Sequence, residues 1–333
     1  MDREQEELQF LGLFGIYKET TKIIFTWGKI FSQITLALIL PLSFIFLAHI
    51  EVSNLILFKI MHAEVQLDYT RAGTPRYEKL TDLVNSEWAY FWLFKAVYFT
   101  FLLIFSLLST AAVVYTIACI YTGKPVSFKK VMSVVPKVWK RLMITLLAIF
   151  LAIFAYNVVA VLVLMSWALL FGHTKAAIPT FFVVLAAYFL GLVYMTIVWQ
   201  LGSVVSVLEE ASGFKAMAKS KALIRGKTWI AVIIFFKLNL SFVAIQIIFS
   251  RLVVHGVSLA VVDKIIFGVI CFLLLCKLYL FLLVIQTVLY FVCKSYHHEN
   301  IDKSALSNHL EVYLLGEYVP LKSKDVQLEQ YDV

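Results

Sequence analysis

The chain alternates between long apolar runs and shorter polar segments. Several of the apolar runs contain no Asp, Glu, Lys or Arg, namely 30–50, 96–123, 142–174 and 176–208. Each is at least as long as the roughly 20 residues that cross a bilayer as a helix. A charged side chain near the bilayer centre costs about 2.5 kcal/mol or more, so charge-free runs of this length indicate membrane spans.

Two further runs, 228–250 and 265–293, are equally apolar but each contains one lysine, Lys237 and Lys277. The pattern therefore predicts six spans in an all-α, polytopic transmembrane helical bundle. The predicted spans are about 30–50, 96–121, 142–171, 179–208, 229–250 and 265–293. Residues 1–29 are expected to form a cytosolic N-terminal amphipathic helix, residues 30–293 the six-span domain, and residues 294–333 a cytosolic polar tail.

Composition agrees with this prediction. Of 333 residues, 62% are apolar and 15% are charged, and the mean hydropathy is +0.88. An average soluble domain is about a quarter charged, so this chain lacks the polar surface needed to cover a soluble core of its size.

Lysines and arginines are distributed unevenly between the two sides of the predicted membrane. Nineteen fall in the N-terminal segment, the second loop, the fourth loop and the tail, and eight fall on the opposite side. Short cytosolic loops carry an excess of Lys and Arg. Both termini are therefore predicted to be cytosolic.

The second loop carries the clearest amphipathic pattern. At 100° per residue Val131, Val134, Val135 and Val138 share one face of a helix, while the lysines share the other. This pattern is typical of a helix lying in the headgroup plane. The basic residues expected to contact anionic headgroups are Lys129, Lys130, Lys137, Lys140, Arg141, Lys215, Lys219, Arg225 and Lys227. The alternative is that these charges only set the topology.

The amphipathic segments recur along the chain. An offset of 86 residues places Phe128-Lys129 on Phe214-Lys215, and an offset of 198 residues places Gly28-Lys29 on Gly226-Lys227. Each unit then contains a cytosolic helix of about 14 residues, an outgoing span and a returning span. We interpret the six spans as three such units.

Two stretches resemble known families. Residues 209–226 contain Glu209, Gly213, Ala216, Ser220, Leu223 and Gly226, in an order that resembles the signature between spans of the membrane domain of glycerophosphodiester phosphodiesterases. Residues 1–18 and 128–141 resemble a plant family of uncharacterised multi-pass proteins. The similarity to that family extends over the whole chain. Neither resemblance implies a reaction, because the chemistry of the phosphodiesterases belongs to a separate soluble domain.

Charged and polar side chains inside the predicted spans are the candidate functional residues. Lys277 lies near the middle of the sixth span, and no predicted span contains a carboxylate to pair with it. One hypothesis is a transport pathway for a small anionic or zwitterionic solute or lipid. Its residues would be Lys237, Lys277, Asn157, Gln200, Gln246 and Gln286. The alternative is that both lysines extend to the membrane surface, which is easier for Lys237.

The sequence contains no recognisable catalytic, metal-binding or nucleotide-binding motif, so we expect neither an enzyme nor a cofactor. Nucleic-acid binding is not expected, because the basic residues are spread over loops at a membrane. In the tail, Tyr318-Val-Pro-Leu321 resembles a sorting signal read by clathrin adaptors.

We therefore favour a membrane organiser or trafficking adaptor in the plasma membrane or endomembrane system. Its expected partners are membrane lipids and adaptor or other membrane proteins.

Overall fold

The computed structural model describes residues 8–71, 73–171, 177–256 and 260–297. Over these residues the chain forms helices and no β-strand. The described helices are α1 (Leu13–Thr26), α2 (Gly28–Asp68), α3 (Pro75–Thr122), α4 (Phe128–Phe171), α5 (Ala177–Leu208), α6 (Phe214–Ile224), α7 (Thr228–Val254) and α8 (Val261–Tyr296). Helix α2 contains a π-helical turn at Thr35–Ile39, and α7 ends in another at Ser250–Val254.

Six of these helices, α2, α3, α4, α5, α7 and α8, are long and apolar enough to cross a membrane. The predicted all-α, six-span fold is confirmed. The spans form three antiparallel hairpins, α2/α3, α4/α5 and α7/α8, in chain order.

The helices are longer than the charge-free runs that predicted them. Helix α3 has 48 residues, about 72 Å at 1.5 Å per residue, against a hydrocarbon core of about 30 Å. The predicted spans leave the charged segment 51–95 as a long first loop, but it is helical except at 69–71 and 73–74. Its buried apolar residues are spaced as on one face of each helix, Ile60 and Ala63 on α2, and Val84 and Phe91 on α3. The two faces pack on each other, which explains why the prediction of a loop was wrong.

The ends of α3 follow local sequence rules. Thr74 is the N-cap, and its hydroxyl accepts a hydrogen bond from the Tyr77 backbone N–H at 3.2 Å. Pro75 follows at the first helical position, where its missing N–H costs nothing. The helix ends at Gly123, whose φ of 72° is left-handed, as glycine allows.

A segment predicted to be amphipathic precedes each hairpin, but the three segments join their spans differently. Helix α1 is separated from α2 at Trp27, and α6 is separated from α7 by 225–227, where Gly226 has a φ of 89°. Segment 128–141 has Lys140-Arg141 in place of the glycine, and it continues into the span as one helix, α4. This segment is therefore the first part of a spanning helix and not a separate interfacial helix.

We call the end of the molecule that carries α1, the start of α4 and α6 the basic end. The other end, which carries the hairpin connections, is the opposite end. Nearly all of the core lies toward the basic end, where every element contributes fully buried side chains. Examples, each no more than 1% exposed, are Ile16 of α1, Ile117 of α3, Val138 of α4, Val205 of α5, Leu223 of α6, Phe235 of α7 and Val288 of α8.

Packing becomes sparse toward the opposite end. A small cluster of Leu47, Phe249, Cys271 and Leu275 joins α2 to the α7/α8 hairpin. The outer part of the α4/α5 hairpin is largely exposed, as at Phe154 and Leu190, and only 11% of the most apolar stretch of α5 is buried. The hairpins are therefore held together mainly at the basic end, and the outer part of the α4/α5 hairpin has few contacts with the other two.

Candidate functional site

Each of the three segments predicted to be amphipathic packs apolar side chains into the protein core. Val131, Val134, Val135 and Val138 are at most 1% exposed, although the sequence predicted that this face would meet the membrane. The neighbouring spans extend far enough to cover the segments, and an apolar face packs as well on protein as on acyl chains. The apolar faces therefore fix the helices in place.

The basic faces of the same helices point outward. Most of the side chains predicted to contact headgroups are exposed, namely Lys129, Lys130, Lys137, Lys140, Lys215 and Arg225, and the rest, Arg141, Lys219 and Lys227, are partly buried. Because the opposite faces are fixed by one core, the structure gathers these charges around the basic end. The charges are thus held on rigid helices.

Glu209, just after α5, joins three elements at the basic end. Its Oε2 lies 2.6 Å from Nζ of Lys219 on α6, and its Oε1 accepts hydrogen bonds from the Tyr290 hydroxyl at 2.5 Å and from Lys294 Nζ at 3.0 Å on α8. Burial works to raise the pKa of the Glu209 carboxyl, but the three hydrogen bonds prevail and lower it from 4.5. Glu209 is therefore held as a carboxylate.

Other residues of the 209–226 signature also have packing roles. Gly213 has a φ of 62°, and its N–H donates to the Thr145 hydroxyl on α4 at 2.8 Å. The buried Ser220 hydroxyl donates to the carbonyl of Val198 on α5 at 2.9 Å. A Cβ at Gly226 would collide with the ring of Tyr296. The signature connects α6 to three spanning helices.

The residues of the hypothesised transport pathway are not brought together. Lys237 and Lys277 are exposed on the outside of α7 and α8. Gln286 is 1% exposed, and its Oε1 accepts no hydrogen bond from the described residues. The Asn157 Oδ1 accepts from the Tyr188 hydroxyl at 2.9 Å within the α4/α5 hairpin, and Gln246 is half-buried on α7.

Gln200 is the exception among the proposed pathway residues, because it lines a cavity of about 140 Å³. The cavity lies among α2, α3, α4, α5 and α8. Its polar lining consists of Ser106, Ser109, Thr110, Thr145, Gln200, Ser203 and Tyr279. None of the described residues that line it is charged. Sequence patterns could not reveal the cavity, since its hydroxyls come from four helices.

A second polar cluster joins α2 and α3 closer to the opposite end. Lys95 Nζ donates to Nε2 of His49 at 2.6 Å and to the Ser53 hydroxyl at 3.1 Å. The His49 ring stacks on Tyr98 with centroids 3.6 Å apart. In the sequence, Lys95 was considered only as one charge of the predicted first loop. These contacts show that its side chain links α2 to α3.

The tail residues proposed as a sorting signal, Tyr318 and Leu321, lie outside the described residues.

Comparison with known proteins places the chain in a family. The model of the family described as Domain of unknown function (DUF8558) matches residues 1–331. The chain belongs to this family. No curated protein and no solved structure matches it. The DUF8558 match agrees with the predicted membership of an uncharacterised family.

Proposed function

We propose that this chain is a non-enzymatic membrane organiser that binds anionic lipid headgroups at its basic end. The observation that carries the proposal is the arrangement of basic side chains around one rigid core. Their helix buries Val131, Val134, Val135 and Val138 and leaves Lys129, Lys130, Lys137 and Lys140 exposed. Each Lys or Arg near an anionic surface contributes about 1 kcal/mol of attraction.

The fixed positions of the basic helices support binding of the lipid headgroups next to the protein. Helix 128–141 is continuous with a membrane span, so its basic face lies directly beside the bilayer surface. Little conformational freedom of the backbone is lost when lipids bind to charges that are already fixed. Attraction to exposed charges is screened by salt, so this binding should weaken as ionic strength rises.

The test is the association of spin-labelled phosphatidylserine and phosphatidylcholine with the full chain in proteoliposomes. Replacing Lys129, Lys130, Lys137 and Lys140 together by Gln is expected to lower the preference for phosphatidylserine by about fivefold or more. The matched control replaces four bases near the opposite end, Lys59, Arg71, Arg76 and Lys79, by Gln. Equal losses in both variants, or none in either, would overturn the proposal.

The orientation and the membrane also belong to the proposal. The excess of basic residues supports cytosolic termini and a basic end on the cytosolic side. We place the protein in the plasma membrane or endomembrane system of a plant, with lipids and adaptor or other membrane proteins as partners. Engineered glycosylation sites in the 69–74 connection would test the orientation. They should be modified, whereas sites near Lys124 should not.

The resemblance of 209–226 to the membrane domain of glycerophosphodiester phosphodiesterases is part of the same proposal. The packing roles of Glu209, Gly213, Ser220 and Gly226 support a structural motif that holds a short helix against neighbouring spans. Transport through Lys237 and Lys277 has weaker support, because neither lysine lines the cavity.

A further inference from the structure

The cavity around Gln200 lies at a depth that the hydrocarbon of a bilayer occupies. Along α4, Thr145 is four residues beyond Arg141, and along α8, Tyr279 is fifteen residues before Lys294. At 1.5 Å per residue these offsets place the lining about 6–22 Å from the charged level of the basic end. Polar groups at this depth are costly unless they have hydrogen-bond partners.

The described polar groups that line the cavity can accept and donate hydrogen bonds, and none of them is charged. The hydroxyls of Ser109, Thr110 and Ser203 donate to carbonyls of their own helices at 2.6, 2.9 and 2.7 Å, so their oxygens can still accept. The Gln200 carboxamide makes no hydrogen bond with any described residue and supplies both donors and an acceptor. This chemistry suits an uncharged hydroxyl-bearing group and disfavours an isolated phosphate or carboxylate.

The volume and the surroundings favour the head of a lipid. About 140 Å³ holds about four or five water molecules or one small polyol group. Just past the cavity, apolar side chains of α4 and α5 are exposed, among them Leu147 and Leu190. Acyl chains attached to a head in the cavity can lie along these exposed apolar faces.

We propose that this cavity binds the uncharged glycerol head of a neutral lipid such as diacylglycerol, with the acyl chains along the exposed apolar faces of α4 and α5. The Gln200 carboxamide donates to and accepts from the head, and the hydroxyls of Ser109, Thr110 and Ser203 accept. The site uses none of the exposed basic side chains. Its failure would therefore leave the proposed binding of anionic lipid unaffected.

The test uses the full chain in nanodiscs with a diacylglycerol that carries a photoreactive acyl chain. Crosslinks mapped by mass spectrometry are expected on the exposed apolar faces of α4 and α5. Unlabelled diacylglycerol should compete, and phosphatidylcholine should not. Gln200→Leu and Ser203→Ala should each reduce specific labelling about fivefold to tenfold, the loss expected for one neutral hydrogen bond.

Thr196→Val is the matched control. Thr196 lies one turn from Gln200, and its hydroxyl donates to its own helix at Leu192, but it does not line the cavity. Unfolding temperatures of all variants check folding, and Ser203→Ala, the smallest change, keeps the test valid if Gln200→Leu does not fold. Competition by free glycerol at least as strong as by diacylglycerol would assign the site to a soluble polyol. Equal labelling of the wild type, Gln200→Leu and Ser203→Ala would mean that the cavity holds only water and would overturn the proposal.

Discussion

The basic end and the opposite end of this molecule are built from the same six spanning helices, yet they pack in different ways. At the basic end, side chains from every spanning helix and from α1 and α6 meet in one core. Toward the opposite end, the α4/α5 hairpin is held mainly by its own two helices, as in the stack of Tyr156 on Tyr188, and only a small cluster joins α2 to the α7/α8 hairpin.

The difference follows from what covers the apolar surface. At the basic end the segments 13–26, 128–141 and 214–224 pack on the spans, and polar contacts such as those of Glu209 and Thr145 hold them there. No such segment is described between the hairpins at the opposite end. Lipid covers apolar helices as well as protein does, so little drives the α4/α5 hairpin against the other two there. Assembly at one end therefore leaves the other end free to contact lipid.

The largest expected effect comes from two adjacent phenylalanines of α7. Phe235 is 1% exposed in the core, whereas Phe236 is 56% exposed. Phe235→Ala should lower the free energy of unfolding by about 3–5 kcal/mol, because it removes a buried ring and leaves a cavity. Phe236→Ala should change it by less than about 1 kcal/mol. Unfolding in bicelles measures both, and similar losses would contradict the assignment of the core.

Glu209→Gln tests how the basic end is fixed. The change keeps the shape but removes the charge that Lys219 and Lys294 contact, and we expect a loss of about 1–3 kcal/mol in the free energy of unfolding. Glu210→Gln, at the exposed neighbouring position, is the control and should change it by less than about 0.5 kcal/mol. Equal stability of the two variants would show that Glu209 does not hold the helices together.

The Glu209 carboxyl should also make the stability of the protein depend on pH. Because the pKa of Glu209 is lower in the folded state than its usual 4.5, its contribution is present above that value and is lost as pH falls below it. The difference in stability between wild type and Glu209→Gln should therefore shrink as pH falls below about 4.5. Unfolding measured over a pH series would show this, and a constant difference would contradict the lowered pKa.

Tyr188→Phe tests the contact between the two helices of the α4/α5 hairpin. It removes the hydrogen bond to Asn157 while keeping the ring, and hydrogen bonds between spanning helices contribute about 0.6 kcal/mol on average. We expect a loss of that size in the free energy of unfolding. Tyr194→Phe is the control on the same helix, and an equal loss there would show that the Asn157 contact adds nothing.

The smallest effect is expected at Lys277, the residue that seemed most unusual in the sequence. Its side chain is exposed on α8, so Lys277→Leu should change the free energy of unfolding by less than about 0.5 kcal/mol. Comparison with Cys276→Leu, a change at the buried neighbouring position, would sharpen the contrast between lipid and protein surroundings. A loss at Lys277 above 1 kcal/mol would indicate a contact that its exposure does not suggest.

Much of the fold could be predicted because charge-free runs of about 20 residues have one common explanation. The same pattern could not show which apolar faces meet protein. Val131 and Phe154 both lie on apolar faces of α4, yet one is buried and the other is 68% exposed. The bilayer is as apolar as the core, so hydropathy alone does not separate the two surroundings.

The candidate sites were less predictable for a related reason. Glu209 looked like part of a short signature, and its partners on α8 lie more than 80 residues away in sequence. Lys277 was singled out because no predicted span contains a carboxylate that could pair with it. Whether it faces protein or lipid depends on how α8 is rotated about its axis, which the sequence does not show. Gln200 was among the polar residues noted in the spans, and only the packing of five helices showed that it faces a cavity.

The exposure of the outer α4/α5 hairpin has a consequence for the two leaflets. Helices joined by Glu209 and by the core resist a change of cross-sectional area in the leaflet at the basic end. In the other leaflet, movement of the less packed α4/α5 hairpin would change the area that the protein occupies. Bending the bilayer changes the relative areas of its leaflets, so the free energy of hairpin movement depends on membrane curvature. Tight packing at one end and sparse packing at the other thus link the conformation of this protein to the curvature of the membrane.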